Sequence, residues 1–441
     1  VKAPTVAFTT LGCRLNQVDT QELQGALEAR GFRTVAVDDR ADVVIVNTCT
    51  VTARADFSDR QAIRRASRSN PAARIVVTGC WAQTSPDLAA GVPGVDLVIG
   101  NADKDRLPDL VSRLLEGERP MERAPRVHVH AVSTARSLPA APRGRTLGRS
   151  RAFLKLQDGC QHRCAFCVVP LARGGSRSRA VAAVLDQARA LVDAGHPELV
   201  LTGIDLGHYG ADLVPRTTLA ALLRAMIEIR GLSWIRMSSL LPAYFTPELL
   251  EIVTGSRTIA PHFHVPLQSG SDRVLRRMRR PYTVAMYRRL VERLASASPH
   301  VGLGADVIVG FPGERAEDFE ETLSLVNELP LTYLHVFPYS DRPGTEASGL
   351  DGHLAPSAVT ERGRRVRALG RAKSLAFRRG LLGRVEDVLV LETAERATGR
   401  LVGLTGNYVE VTFDGPDDLK GRMARVRLTA ATPAGTAGER A

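Results

Sequence analysis

The chain has 441 residues, 44% of them hydrophobic and 24% charged, which excludes a disordered or low-complexity protein and leaves room for two or three domains. A formal net charge of +12 points to a polyanionic partner, and no apolar run approaches the length of a membrane span. The first residues show no basic segment followed by an apolar one, so the expectation is a cytoplasmic protein whose six cysteines serve as metal ligands in preference to disulfides.

Residues 1–120 alternate strand and helix patterns. VAFTT (Val6 to Thr10) reads as a strand, and DTQELQGALEARG as an amphipathic helix closed by Gly31. ADVVIVNTC, IVVTGC and VDLVIG read as further strands, with FSDRQAIRRASRSNP as the helix between the first two. This order predicts an α/β domain with a doubly wound parallel sheet. Cys13, Cys49 and Cys80 each fall just past a strand, in LGC, NTC and TGC. Carboxyl ends of parallel strands share one edge, so three residues distant in sequence are expected to meet there. Three thiols without a fourth suggest an iron-sulfur cluster with one open iron. The competing readings are unrelated buried thiols, or a nucleotide-binding sheet, for which no GxGxxG follows the first strand.

Residues 121–150 read as a basic linker. From Arg123 to Gln157 there is no acidic residue and eight are Arg or Lys, while Pro125, Pro139, Pro142, Gly144 and Gly148 break any periodicity. An exposed connector able to touch a phosphate backbone is the expectation. Next comes LKLQDGCQHRCAFCVVP (Leu154 to Pro170), in which Cys160, Cys164 and Cys167 stand in a CxxxCxxC pattern after a strand carrying Lys155 and Gln157. A structural zinc site closes with four ligands, and His162 lies too near Cys160 for usual zinc spacing. Three thiolates on one loop instead leave an iron free for an organic ligand. The pattern, with Phe166 before the last cysteine, resembles the radical S-adenosylmethionine (SAM) enzymes. That resemblance implies a 4Fe-4S cluster that binds SAM at its open iron and splits it to methionine and a 5′-deoxyadenosyl radical.

Residues 151–370 continue as βα units, and the resemblance implies a partial (β/α) barrel with its site at the carboxyl ends of the strands. Thr202, Gly203, Ser238, Ser239, Gln268 and Asp306 fall at such ends and are candidate SAM-binding residues, with Phe166 from the cysteine loop. Arg177 and Arg179, in RGGSRSR, are candidates for a substrate carboxylate or phosphate, and Arg273 to Tyr282 adds a basic cluster. Between Arg362 and Arg384 nine residues are Lys or Arg and none is acidic. Residues 371–435 then read as a small β-barrel of oligonucleotide-binding type, resembling the TRAM domain, and residues 433–441 as a loose tail.

TLGCRLNQVDT, VIVNTCTVTARAD, RQAIRRASRSNP and VTGCWAQTSP, taken with the cysteine loop, resemble the methylthiotransferase subgroup of radical SAM enzymes. CTVT and TGCWAQ are most similar to the branch acting on N6-threonylcarbamoyladenosine in tRNA, and RGGSRSR lacks the glutamate that the isopentenyl branch carries there. The resemblance implies two 4Fe-4S clusters, on Cys13, Cys49, Cys80 and on Cys160, Cys164, Cys167. It also implies two equivalents of SAM per turnover. The partners would be the tRNA anticodon stem-loop, a sulfur donor, and an electron donor such as flavodoxin or ferredoxin. The rivals are methylthiolation of a ribosomal-protein aspartate, and an iron-sulfur RNA-binding protein without catalysis.

Overall fold

The computed structural model describes residues 3–116, 125–134, 138 and 150–441. The chain divides into two compact units: residues 1–144, 157–179 and 340–348 form one, and residues 145–156, 180–339 and 349–441 the other.

The first unit is built on a six-stranded parallel sheet. Its strands are β1 (Thr5–Thr10), β2 (Arg33–Thr34), β3 (Val43–Thr48), β4 (Arg74–Gly79), β5 (Val95–Ile99) and β6 (Arg126–His128), in the order β2-β1-β3-β4-β5-β6. VVIVNT of β3 is buried at every position, as a central parallel strand covered on both faces requires. The helices divide between the faces. Val6, Val43 and Ile45 pack with Leu23 and Leu27 of α1 (Arg14–Glu28) and with Leu110 and Val111, whereas Val44, Val46 and Val77 pack with Ile63 of α2 (Ala53–Ser69) and with Trp81. The doubly wound expectation is therefore met. Strand β6 lies in the stretch read as a connector, and pairs Leu97 with Arg126 and Ile99 with His128. Three residues on a sheet edge are too few to show a period, which is why the strand is invisible in the sequence. Of the expected basic linker, residues 121–124, 135–137 and 139–149 lie outside the described residues.

In the second unit six parallel strands form two three-stranded arcs. Arg151–Lys155, Glu198–Thr202 and Trp234–Met237 make one, and His262–His264, Gly302–Val309 and Tyr333–Pro338 the other. A parallel bridge from Ile235 to Ile259 continues the first arc toward the second, as a partial barrel requires. Leu154, Leu199, Leu201, Phe263, Leu303 and Val307 share one core with residues of the surrounding helices, among them Val184, Leu223 and Val291. The basic stretch is one helix, Pro356–Gly380, leading into a closed five-stranded barrel. The expected loose tail is wrong. Thr436–Arg440 is the fifth barrel strand, paired antiparallel to Met423–Ala431, with Ala437 beside Thr412. An open β-barrel leaves an unpaired edge, and closure with these residues removes it.

Arg236 fastens the small barrel to the rest of this unit. Its side chain is fully buried, donating from Nε to Glu198 Oε1 at 2.7 Å and from its terminal nitrogens to the carbonyls of Gly406 at 2.8 Å and Thr405 at 3.2 Å. Removing one partner of a buried pair strands the other charge, at a cost of about 3–5 kcal/mol. Arg236→Met is thus expected to lower the thermal unfolding midpoint by several degrees. The double change Arg236→Met with Glu198→Gln should recover a large part of it, and equal midpoints for single and double variants would contradict the pairing.

Candidate functional site

Strands β1, β3 and β4 are neighbours in the sheet, and their carboxyl ends deliver the first cysteine triplet. Cys13 caps α1, Cys49 follows β3, and Cys80 opens the short helix Cys80–Thr84. Cys49 and Cys80 are buried and Cys13 is exposed. The approach is close: a Cβ on Gly12 would lie 2.6 Å from Cβ and 2.7 Å from Sγ of Cys49, and Gly12 has φ +93°. Only glycine fits that position. Burial pushes the Cys49 thiol up to about 12, and the charges of Cys80, Cys13 and Asp59 push the same way, against one N–H from Val51. A buried thiol that resists ionisation, with two further cysteines near enough for their charges to count, belongs to a donor set that a metal centre satisfies, since a cation relieves both burial and repulsion. Asp59 accepts the Cys49 N–H at 3.2 Å from both its oxygens, and Asn101 Nδ2 donates to Cys80 Sγ at 3.6 Å.

The second triplet belongs to the same compact unit. Cys160 N donates to Gly174 O and Cys167 N to Cys164 O, both at 3.0 Å, and the backbone N–H of His162 points at Cys160 Sγ at 3.4 Å. All three thiols are partly exposed, as an open site on a loop requires. His162 therefore serves the loop through its backbone. Segment 340–348 braces both triplets: Arg342 bonds Thr50 Oγ1 at 2.5 Å and Asp56 Oδ2 at 2.7 Å, while Ala347 N donates to Ala165 O at 2.8 Å.

Arg173 joins the two. Its side chain is 2% exposed and forks from one nitrogen to both oxygens of Asp158 at 3.0 Å, at the foot of the cysteine loop. The other nitrogen reaches Asn16 Oδ1 at 2.6 Å and Asp19 Oδ2 at 3.0 Å on α1, the helix that Cys13 caps. Lys104 Nζ completes the network at Asp19 Oδ2, 2.7 Å away. Burial works against the charge on Arg173, but Asp158, Cys80, Asp19 and Cys13 outweigh it and hold the guanidinium protonated. Sequence reading passed over this residue, because RGGSRSR does not reveal which of its arginines turns inward. It proposed Arg177 and Arg179 for an anionic substrate group. Arg179 is instead 1% exposed and paired with Glu22 Oε1 at 2.8 Å, and Arg177 donates to the Arg173 carbonyl at 3.0 Å. A buried guanidinium must be satisfied by its own chain, so Arg179 is committed to the fold.

In the second unit the strand-end candidates divide. Thr202 spends its hydroxyl on Val200 O at 3.3 Å within its own strand, beside Gly203. Ser238 Oγ and Gln268 Oε1 are buried with no hydrogen-bond partner, the state of polar groups that wait for a ligand. Gln268 has φ +66° and is held there by bonds from its N to Asp306 O at 2.8 Å and from Ile308 N to its own O at 2.9 Å. Ser239 and Asp306 converge on a residue the sequence reading missed. Ser239 Oγ lies 2.6 Å from His264 Nδ1, and His264 Nε2 lies 3.1 Å from Asp306 Oδ1. His335 Nδ1 reaches the same oxygen at 3.2 Å. Burial opposes the charge on Asp306, but the two histidines hold its carboxyl well below the usual carboxylate range. The basic cluster after Gln268 is partly internal: Arg273 bonds Asp318, and Arg277 Nε donates to Pro312 O at 2.8 Å.

The Arg173 network yields a prediction. Arg173→Leu leaves Asp158 buried without its partner, and exchange of the Cys160 and Gly174 amides is expected to quicken at least tenfold, a loss of about 1.4 kcal/mol or more in local stability. Arg173→Lys, lacking the fork, should fall between the two. Unchanged protection in the leucine variant would refute the role.

Comparison with known proteins places these groups in context. Residues 5–100 match "Uncharacterized protein family UPF0004", and residues 154–326, which hold the second triplet, match the "Radical SAM superfamily". Threonylcarbamoyladenosine tRNA methylthiotransferase MtaB of Bacillus subtilis (strain 168) is 39% identical over 96% of this chain and 93% of its own. The protein of the same description from Aquifex aeolicus (strain VF5) is 40% identical over 96% of this chain and 100% of its own. A tRNA-2-methylthio-N(6)-dimethylallyladenosine synthase of Mycobacterium bovis is 37% identical over 98% and 86%. Among solved structures, the radical SAM methyltransferase TsrM from Kitasatospora setae superimposes with a TM-score of 0.61, covering 79% of this chain and 77% of that one at 18% identity, a likeness of fold alone. Near-complete coverage by relatives of one kind, with Cys160, Cys164 and Cys167 inside the radical SAM match, decides the assignment: the chain belongs to the radical SAM tRNA methylthiotransferases.

Proposed function

We propose that this protein converts N6-threonylcarbamoyladenosine beside the tRNA anticodon, at position 37, to its 2-methylthio derivative, replacing the hydrogen on carbon 2 of the adenine by a methylthio group. The observation that carries this reading is the presence of two cysteine triplets in one compact unit, cross-linked through Arg173, in a chain 39–40% identical to two relatives described as acting on that nucleoside. When bound, the cluster on Cys160, Cys164 and Cys167 supplies the electron that splits SAM, and a second cluster on Cys13, Cys49 and Cys80 supplies an open iron for the sulfur that is inserted.

The chain's own residues have separable tasks in this scheme. Gly12 lets the backbone beside Cys13 approach Cys49, and Asn101 directs an N–H at Cys80 Sγ. Ser238 and Gln268, with unpartnered buried oxygens, and the backbone at Gly203 are the SAM contacts proposed in the second unit, and Phe166 is the one proposed in the first. Two equivalents of SAM serve each turnover, one for the radical and one for the methyl group. The target base sits in a single-stranded loop, so presenting it costs little unstacking. Arg367, Arg371 and Arg379, exposed on the helix Pro356–Gly380, and the closed barrel after it are the proposed tRNA-binding surface. An external sulfur source and a reductant of the flavodoxin or ferredoxin class complete the reaction in the cytoplasm. Among the described residues no helix is long and apolar enough to cross a membrane.

The test separates the triplets. Cys160→Ala and Cys13→Ala should each abolish the methylthio nucleoside, read by mass spectrometry of digested tRNA, and each should remove about four irons per chain. Only Cys160→Ala should also abolish 5′-deoxyadenosine formation from SAM under dithionite. Persistent SAM cleavage in that variant, or full product from the Cys13 variant, defeats the scheme.

A further inference from the structure

The second arc of the barrel has two chemically different faces. Phe263, Leu303, Ala305, Val307, Leu334 and Val336 belong to the hydrophobic core. Alternation puts His262, His264, Gly304, Asp306, Tyr333 and His335 on the opposite face. Parallel registry sets His264 beside Gly304 and Asp306 beside His335, so three ligating side chains come from three adjacent strands. Gly304 has no side chain because a Cβ there would lie 2.0 Å from the Tyr333 ring.

We propose that His264 Nε2, Asp306 Oδ1 and His335 Nδ1 form a site for a divalent first-row transition cation, distinct from both cysteine triplets. Among the described residues this is the group of three His, Cys, Asp or Glu whose ligand atoms all lie within 4.8 Å of one another. The separations to Asp306 Oδ1, 3.1 and 3.2 Å, match the roughly 3.3 Å between ligand atoms when bonds of about 2.0–2.1 Å meet at a tetrahedral angle.

A hydrogen-bonded His–Asp–His chain is the alternative, and the geometry at His264 argues against it. Nε2 is buried and 3.1 Å from the carboxylate, yet it is not aligned to donate there and has no hydrogen-bond partner. A proton must lie near the line between two atoms, whereas a metal ion sits to one side of that line, where the nitrogen lone pair points. Ser239 Oγ, 2.6 Å from Nδ1, fixes the ring from its far side, as outer partners of metal-bound histidines do. The ring of His264 is 9% exposed and that of His335 is 54% exposed, so the fourth position is open on the His335 side. Two imidazoles and one carboxylate suit zinc or ferrous iron, not magnesium or calcium. This assigns Asp306 and Ser239 to a cation in place of SAM.

The experiment uses the full chain with its cysteines occupied by anaerobic loading with iron and sulfide, dialysed against micromolar Zn²⁺ and analysed for both metals. One zinc per chain beyond the iron is expected, with zinc-edge X-ray absorption showing nitrogen and oxygen neighbours near 2.0–2.2 Å and no sulfur near 2.3 Å. His335→Ala, at an exposed ring, should weaken zinc binding at least tenfold with iron content unchanged. Ser239→Ala, outside the ligand set, should weaken it about tenfold or more. No retained zinc, a sulfur-only shell, or equal zinc uptake in the His335→Ala chain would overturn the proposal, and none of these readouts depends on tRNA modification.

Discussion

One buried guanidinium ties the reactive parts of the first unit together. Arg173 forks to Asp158 below the radical SAM cysteines and reaches Asp19 and Asn16 on the helix that begins at Cys13. A buried cation is tolerated only when its carboxylates and carbonyl-type acceptors stay in place, so neither triplet's support can shift without exposing a charge. Lys104 balances the second carboxylate, which leaves two positive and two negative groups in the network. The cost of desolvating four charges is offset by their mutual pairing, which fixes the separation between the two cysteine triplets.

The same economy of position governs the sheet. Because β1, β3 and β4 are parallel neighbours, their ends present Cys13, Cys49 and Cys80 together without any of the three being close in sequence. Gly12, with a backbone no other residue adopts easily, then brings the chain against Cys49. Burial, reinforced by the neighbouring charges of Cys80 and Cys13, makes the surroundings of Cys49 a poor home for a thiolate unless a cation shares it. In the barrel the corresponding device is alternation. One face of three strands is given to the core and the other to histidine, aspartate and tyrosine, so polar groups are gathered where helices cannot cover them.

Family membership and geometry divide the explanation between them. The relatives fix the kind of reaction through their shared full-length pattern. The structure supplies what such a pattern omits: the arginine behind the triplets, the brace from Arg342, and a polar cluster at His264.

Much of the fold was legible because it is written in local signals. β-Branched runs marked β3 and β4, a glycine closed α1, and recurring βα units with CxxxCxxC indicated a partial barrel and its cysteine loop. The strand Thr436–Arg440 was not legible, since TAGER has weak strand character and is ordered by barrel closure alone. Cys13, Cys49 and Cys80 could be named from their strand-to-cysteine junctions, whereas the inward turn of Arg173 and Arg179 could not. An arginine in a basic run looks alike whether it faces solvent or an aspartate more than a hundred residues away. His264 and His335 lay hidden for the same reason, each being one histidine in a short strand until registry set His335 beside Asp306 and His264 beside Gly304, two residues before it. The sequence by itself determined the order of the main strands and helices, the places of the two cysteine triplets past strand ends and the radical SAM character of the second, because those depend on spacing and local pattern. Only the tertiary structure decided which charges are buried, which polar atoms lack partners and which side chains meet across strands, because these depend on contacts that no local pattern encodes.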